Sequence, residues 1–352
     1  MITPIPWERS EAWVAEVVNP DGTHGPLQLD ADQPGTLTWD GNAQTPIRYT
    51  GHCLGTPPEL MRDQRIQLTL NIDGRDPFQF PRLVPVKDNP VYEWATWFSL
   101  GAVDETIIYA ADGIDFPLVL DSGAQAVASA RNVLTASAPD LPVILPDSDL
   151  TLRNQLSFNL GTSPLEISNQ LMEVIGGTRL APSMEGTLTS RIWTPAADRA
   201  VTMIFGPDES DAGYQHRIEI QRLHLEAPNV QHYVGNGSQD SAQITGRWRD
   251  EDPRSPYSIP SRRRRILGKQ ASGEAATQAI ADQMARRAGL EARGRGRTAT
   301  ITGLWQPLVP GDVIQTRHPL FPELVTRWEV LTVAITVGGD ASDTTWTLRE
   351  VI

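Results

Sequence analysis

The stretch Pro117-Leu-Val-Leu-Asp-Ser-Gly-Ala124 comes nearest in this sequence to spelling out side-chain chemistry. An apolar strand running into Asp-Ser-Gly-Ala is how a peptide-hydrolysing aspartate is mounted. Val174-Ile175-Gly176 has the composition of the apolar-glycine segment that packs against such a mount. The chemistry needs two aspartates sharing one proton, so that one of them can activate water. No second Asp-Ser/Thr-Gly occurs in the chain. Asp121 therefore reads as a turn residue bonding nearby backbone amides, and an aspartic-protease-like hydrolase remains an alternative with a single candidate acid.

The run Arg262, Arg263, Arg264 and Arg265 could grip phosphates or the carboxylates of a partner, with Tyr257 just upstream in Ser255-Pro-Tyr-Ser-Ile-Pro260. The bland reading is a strand or linker with two arginines on each side, neutralised by Asp250, Glu251 and Asp252. An exposed ion pair contributes only about 0–1 kcal/mol, so the run counts energetically where an interface buries it. These five residues are expected to be inter-subunit or partner contacts. Asp208, Glu209 and Asp211 could offer oxygens to calcium, but their spacing lacks the position-twelve glutamate of an EF-hand loop. The six histidines (24, 52, 216, 224, 232 and 318) show no paired-ligand spacing. Phosphate-cradling glycine loops and a Gly-x-Ser-x-Gly elbow are also missing. The sequence thus assigns no catalytic, cofactor-binding or metal residue. Among ten tryptophans, Trp94 and Trp97 are the candidates for a glycan- or receptor-binding platform. Trp328 and Trp346 fall on strands of the last hairpin, where packing is the ordinary role.

Composition narrows the classes further. The 352 residues allow two or three domains, each with its own core, and no apolar run approaches a membrane span. The first residues have neither the basic nor the apolar region of a signal peptide. Cys53, the one cysteine, excludes an intrachain disulfide framework. Of 30 basic residues only Lys87 and Lys269 are lysine. Residues 1–240 carry a net charge of −17 and residues 241–352 carry +4, summing to −13. An acidic bulk argues against nucleic acid as a tight ligand, while suiting a surface that lets DNA pass. Halves of opposite sign can also steer like subunits together.

These residues must be positioned by a chain that reads as mainly β with an α+β insertion. In residues 1–120, short β-branched and aromatic runs alternate with turns such as Asn19-Pro-Asp-Gly22 and Asp73-Gly-Arg-Asp76, which suggests a barrel. Ile66, Leu68, Leu70 and Ile72 should face a dry core, with Gln67, Thr69 and Asn71 on a wet face. Residues 121–228 form the insertion. Ser163-Pro164 opens a helix there that Gly176-Gly177 stops; strands are expected around 186–193, 201–205 and 217–221. Residues 229–352 return to β, with one inserted helix over 274–288, capped by Ser272 and ended by Gly289. Its narrow apolar stripe predicts a helix lying on the barrel surface.

Several of these segments resemble the minor tail proteins, in particular the tail-tip (baseplate) hub, of long-tailed phages that infect actinobacteria. The resemblance is carried by Pro6-Trp-Glu-Arg9, by Gly161-Thr-Ser-Pro-Leu165 before a helix ending in Ile-Gly-Gly, and by Ser255-Pro-Tyr-Ser-Ile-Pro260. Trp305-Gln-Pro-Leu-Val-Pro-Gly-Asp-Val313 and Trp346-Thr-Leu-Arg-Glu-Val351 complete it. It implies two tail-tube-like β-barrel domains flanking the α+β module, and a homotrimer whose six barrels match a hexameric tube. It implies no enzyme activity. The partners would be the distal tail or tube protein, tip or fibre proteins and the tape measure protein, with DNA in transient passage. The location would be the virion, after assembly in the host cytoplasm.

Overall fold

The β-branched runs between Gly/Asp turns do form strands, and the fold is mainly β, with 43% of the described residues in strands against 17% in helices. The computed structural model describes residues 4–5, 9–55, 63–92, 96–207, 212, 214–215, 217–223, 227–236, 242–318, 320–339 and 341–351. The first eight strands are β1 (Glu11–Val18), β2 (His24–Leu29), β3 (Gly35–Asp40), β4 (Ile47–Leu54), β5 (Arg65–Ile72), β6 (Phe78–Gln79), β7 (Leu83–Tyr92) and β8 (Thr96–Asp104). Antiparallel pairing runs β1-β2-β4-β8-β7-β5 and returns to β1, closing a ring of six strands. Closure removes most of the unpaired edge that would otherwise recruit other chains. β3 shares one edge of β4 with β2 and stays outside this ring. Beyond Leu83 the outer edge of β7 runs free, and Pro85 and Pro90 blunt it by removing two donors.

One expectation about β5 fails. Ile66, Leu68 and Leu70 are buried as expected, but Gln67 and Thr69 are buried too. The segment after β6 folds over the second face, and Gln67 Nε2 donates to the Phe80 carbonyl at 2.6 Å. The polar alternation marks a satisfied buried face, since a buried amide must find a partner.

After the ring come α1 (Thr106–Ala111), β9 (Leu118–Leu120), α2 (Ala126–Ser137), β10 (Val143–Ile144), β11 (Leu156–Phe158), α3 (Pro164–Val174), β12 (Ala181–Pro182) and β13 (Leu188–Thr189). The Ser163 hydroxyl accepts from Glu166 N–H, Pro164 takes the first helical position, and Gly176 at φ +72° ends α3. Ile167, Leu171 and Met172 of α3 pack with Ala130 and Leu134 of α2 in a core of their own. β9 and β11 pair as an antiparallel ribbon outside the main sheet.

The remaining elements are β14 (Val201–Phe205), β15 (Ile218–Arg222), β16 (Val230–Gly235), β17 (Thr245–Arg249), α4 (Ile259–Arg262), β18 (Ala271–Gly273), α5 (Gln278–Gly294), β19 (Arg297–Leu304), β20 (Val313–His318), β21 (Phe321–Val337) and β22 (Asp343–Glu350). β14 and β15, read from the sequence as part of the insertion, hydrogen-bond instead to β20 and β19. They complete a second six-stranded set, β14-β20-β21-β22-β19-β15. Phe205 explains the placement of β14: its ring packs edge-on to Trp346 at 5.2 Å in the large core. Conversely, β16, β17 and β18 form a separate three-stranded sheet.

The inserted helix also departs from its expected bounds of 274–288. α5 starts after Thr277, whose hydroxyl accepts from Ile280 N–H, and Ser272 sits in β18. The helix runs through Gly289 to Gly294. Gly289 is there for close approach, because a Cβ would overlap the Trp248 indole of β17. α5 therefore lies on the small sheet, with Ala281, Met284 and Ala285 facing Tyr233 of β16.

The long strand β21 joins the two six-stranded sets. Gln315 and Thr316 of β20 pair with its first half, whereas Thr332–Val337 pair with Gly35–Asp40 of β3. The result is one 14-stranded sheet over one continuous apolar core. The N-terminal segment ties the same two sets: Ile5 N–H donates to Gln306 Oε1 at 2.8 Å, and Gln306 Nε2 donates back to the Ile5 carbonyl at 2.9 Å.

Candidate assembly interface

The arginine run does not form a strand. Ser258 caps α4 by accepting from Ser261 N–H, Pro260 lies in the first turn, and Arg263 ends the helix at φ +54°. It is the one non-glycine residue with positive φ among the described residues. A left-handed arginine costs about 1–3 kcal/mol, so the surrounding contacts must hold the turn. Asn229 does much of this. Fully buried, it donates from Nδ2 to the carbonyls of Tyr257 (3.1 Å) and Arg264 (3.0 Å), and its Oδ1 accepts from Ile266 N–H at 2.7 Å. Asp250 holds the other side, accepting from Ser255 Oγ at 2.7 Å and from Arg293 Nη1 at 3.0 Å.

The five expected contact residues separate. Arg263, Arg264 and Arg265 are exposed and project from the turn. Arg262 is half-buried, donating to the Ala227 carbonyl at 2.8 Å with its guanidinium 4.8 Å from the Tyr257 ring centre. Burial lowers its pKa, opposed by the charge interaction with Tyr257. Tyr257 is only 4% exposed. Its ring packs under the Arg262 guanidinium, so its part in a contact would be to support that arginine from beneath. Burial, followed by the nearby Glu350 charge, pushes the Tyr257 hydroxyl up. Glu350 pairs with Arg297, and burial raises its carboxyl despite that partner. Such a cluster can hold carboxylates or phosphates through charge-assisted bonds. The supporting pair Asp250–Arg293 and the clasp Asn229 escaped the sequence reading. The spacing Asp250-x-Asp252-x-x-Ser255, a turn signature, was the available signal.

The other candidates that the structure describes sit in turn and packing contacts. Asp121 is exposed and accepts from Gln155 Nε2 at 3.1 Å, at a turn where Ala124 N–H bonds the Asp121 carbonyl and Gly123 takes φ +89°. Trp328 donates from Nε1 to Thr316 Oγ1 at 2.8 Å, and both Trp328 and Trp346 are buried. Trp97 lies 5.2 Å from His52, ring to ring. Trp94, His216, His224 and the acidic trio Asp208, Glu209 and Asp211 lie outside the described residues. Among the described residues no group of three or more His, Cys, Asp or Glu is placed to hold a metal, and no helix is long and apolar enough to cross a membrane. Burial pushes the Cys53 thiol up to about 12, which keeps it protonated and unreactive.

No protein-family model matches the sequence, and no curated protein matches it. Solved structures do match over nearly the whole chain. A tail protein from Neisseria meningitidis superposes with a TM-score of 0.66 at 13% identity, covering 96% of this chain and 97% of the other. The chain shares the fold of phage tail proteins. The 43 kDa tail protein of prophage MuSo2 from Shewanella oneidensis gives a TM-score of 0.63 at 12% identity, with 95% and 98% coverage. A type VI secretion system component from Escherichia coli, described as similar in structure to the T4 tail proteins gp27 and gp5, gives 0.57 at 11% identity, covering 96% and 76%.

Proposed function

We propose that this chain is a structural, non-enzymatic tail-tip hub of a phage-type tail, assembling as a homotrimer that joins the tail tube to tip or fibre proteins. The observation that carries the reading is the fusion of two six-stranded sets through β3 and β21 into one sheet over one core, in a chain with the tail-protein fold. Three copies would offer six such sets, the number needed to meet a six-fold tube. Neighbours on the tube side would be the distal tail or tube protein, with the tape measure protein in the channel and DNA in transient passage. The net charge of −13 would keep phosphates off the walls within a Debye length of about 8 Å at physiological salt. A permanent ring of this kind buries on the order of 2,000 Å² or more per interface. Light scattering and electron microscopy of the isolated chain, or of intact particles, test the reading. A three-fold ring at the tail end is the expected image; a chain that stays monomeric at all concentrations and is missing from the tail overturns it.

A further inference from the structure

Two exposed apolar surfaces of opposite charge lie on separate parts of this chain. The first is at the end of the β9/β11 ribbon. Past Leu118↔Phe158 the chain turns over Asn159–Thr162, and Ile114 is held there by Thr162 O and Gly161 N–H, so Phe116 and Leu160 lie at the same end of the ribbon. Phe116 is 79% exposed and Leu160 65%, so this end of the ribbon presents two large apolar side chains to solvent. Asp112 and Asp115 flank Phe116, and both are exposed. The Ser137 hydroxyl donates to Asp112, which brings the end of α2 and exposed Asp140 to the same end of the module. Residues 105–192 carry ten acidic and four basic side chains.

The second surface follows the arginine turn. Arg263, Arg264 and Arg265 have no carboxylate partner among the described residues. The chain then passes into Ile266 and Leu267, the latter 64% exposed. These two line a cleft of about 510 Å³ with Pro228, Lys269, Ala292 and Arg295. Its lining mixes apolar side chains with Lys269 and Arg295 and one carboxylate, Glu291, and it is large enough for an aromatic side chain. Residues 229–296 carry twelve basic and seven acidic side chains.

We propose that these surfaces are the two halves of one contact between copies of this chain: Phe116 and Leu160 of one copy seat against the Leu267 cleft of the next, with Asp112, Asp115 and Asp140 meeting Arg263–Arg265. The inference rests on the trimeric reading above and names its interface. Charge and apolar character are complementary at both levels, the local side chains and the net charge of each unit, and burying both apolar patches removes the surface that water disfavours. The contact is heterologous, since two different patches meet. Repetition of a heterologous contact makes a closed ring where the rotation closes and a filament where it does not. Desolvation at the cleft turns the arginines from solvated charges into specific contacts.

Multi-angle light scattering and sedimentation of the full chain, with paired charge reversals, test the interface. R263E/R264E/R265E and D112R/D115R are each expected to weaken association at least tenfold. A chain carrying both sets should regain most of it, because the reversed charges again meet. F116S should weaken association with the salt dependence unchanged. All these side chains are exposed, and an unaltered unfolding midpoint confirms that each variant folds. If the reversed variants form the same trimer as the parent chain, this interface is wrong and the trimer stands. If neither reversal is rescued in the combined chain, the two surfaces contact something other than each other and the proposal fails. If the parent chain is itself monomeric throughout, the trimeric reading falls and the interface with it.

Discussion

Trp39 of β3 lies directly across the antiparallel ladder from Val333 of β21, and both are buried in the same core. This pair sits at the seam between the closed N-terminal ring and the C-terminal strands. Leu37, next to it and 1% exposed, packs on both sides of the seam. Leu37→Ala is expected to cost about 2–5 kcal/mol. The two sets should still unfold together in denaturant, giving one transition by tryptophan fluorescence and by far-ultraviolet circular dichroism. Two separated transitions would show that the seam does not couple them.

Asp250 and Arg293 form a pair whose side chains are almost wholly buried. Asp250→Ala would leave the guanidinium without its partner and release Ser255, at a cost of about 3–5 kcal/mol. The arginine turn should loosen with it, which hydrogen exchange at Ser258–Ile266 would detect. Asn229→Ala, with the ion pair intact, should raise exchange in the same segment while lowering global stability less.

Glu173 gives a pH dependence of unusual sign. Burial is the largest influence and raises its pKa above 4.5, opposed by the hydrogen bond with Tyr233 and by Arg287 and Arg179. The Tyr233 hydroxyl stands 3.3 Å from Glu173 Oε1 and 3.0 Å from the Glu274 carbonyl. The hydroxyl is the donor to both acceptors. A carboxyl raised in the folded state adds stability that is complete below its unfolded pKa and is lost as pH rises through the folded value. Glu173→Gln should therefore be more stable relative to the parent chain at pH 7 than at pH 4. Chemical denaturation at the two pH values measures the difference, and no change in relative stability would rule out the shift.

Gly289 lies inside α5, where alanine ordinarily adds up to about 1 kcal/mol of helix stability. Here the sign reverses, since a methyl group would overlap the Trp248 indole. Gly289→Ala should destabilise by about 1–3 kcal/mol, as overpacking does. A thermal shift upward instead would mean that β17 and α5 have slack between them.

Local rules made much of the chain legible. The cap at Ser163-Pro164, the stop at Gly176 and strands β1, β3 and β5 follow from residue type and spacing, because each depends on neighbours within a few positions. What escaped depends on partners far away in sequence. β14 pairs with β20 more than a hundred residues later, and nothing within Val201–Phe205 names that partner. The end of α5 was misplaced because glycine stops helices as a rule, and the tryptophan that makes Gly289 a packing residue is forty-one positions earlier. At the candidate interface, the arginines stood out by repetition. Tyr257 looked equally available until its burial placed it beneath them, and Phe116, Leu160 and Leu267 drew no attention because single apolar residues between turns are common.

The shared strand β21 constrains how this chain can move. Six residue pairs bind Thr332–Val337 to Gly35–Asp40, and parting the two sets would strip all of them at once along with the core beneath. In the proposed trimer, the seam within each copy would be the stiff joint and the contact between copies the compliant one. An impulse received at one end of such a ring would travel through each copy as through a solid wall, and any aperture would widen by copies sliding past one another.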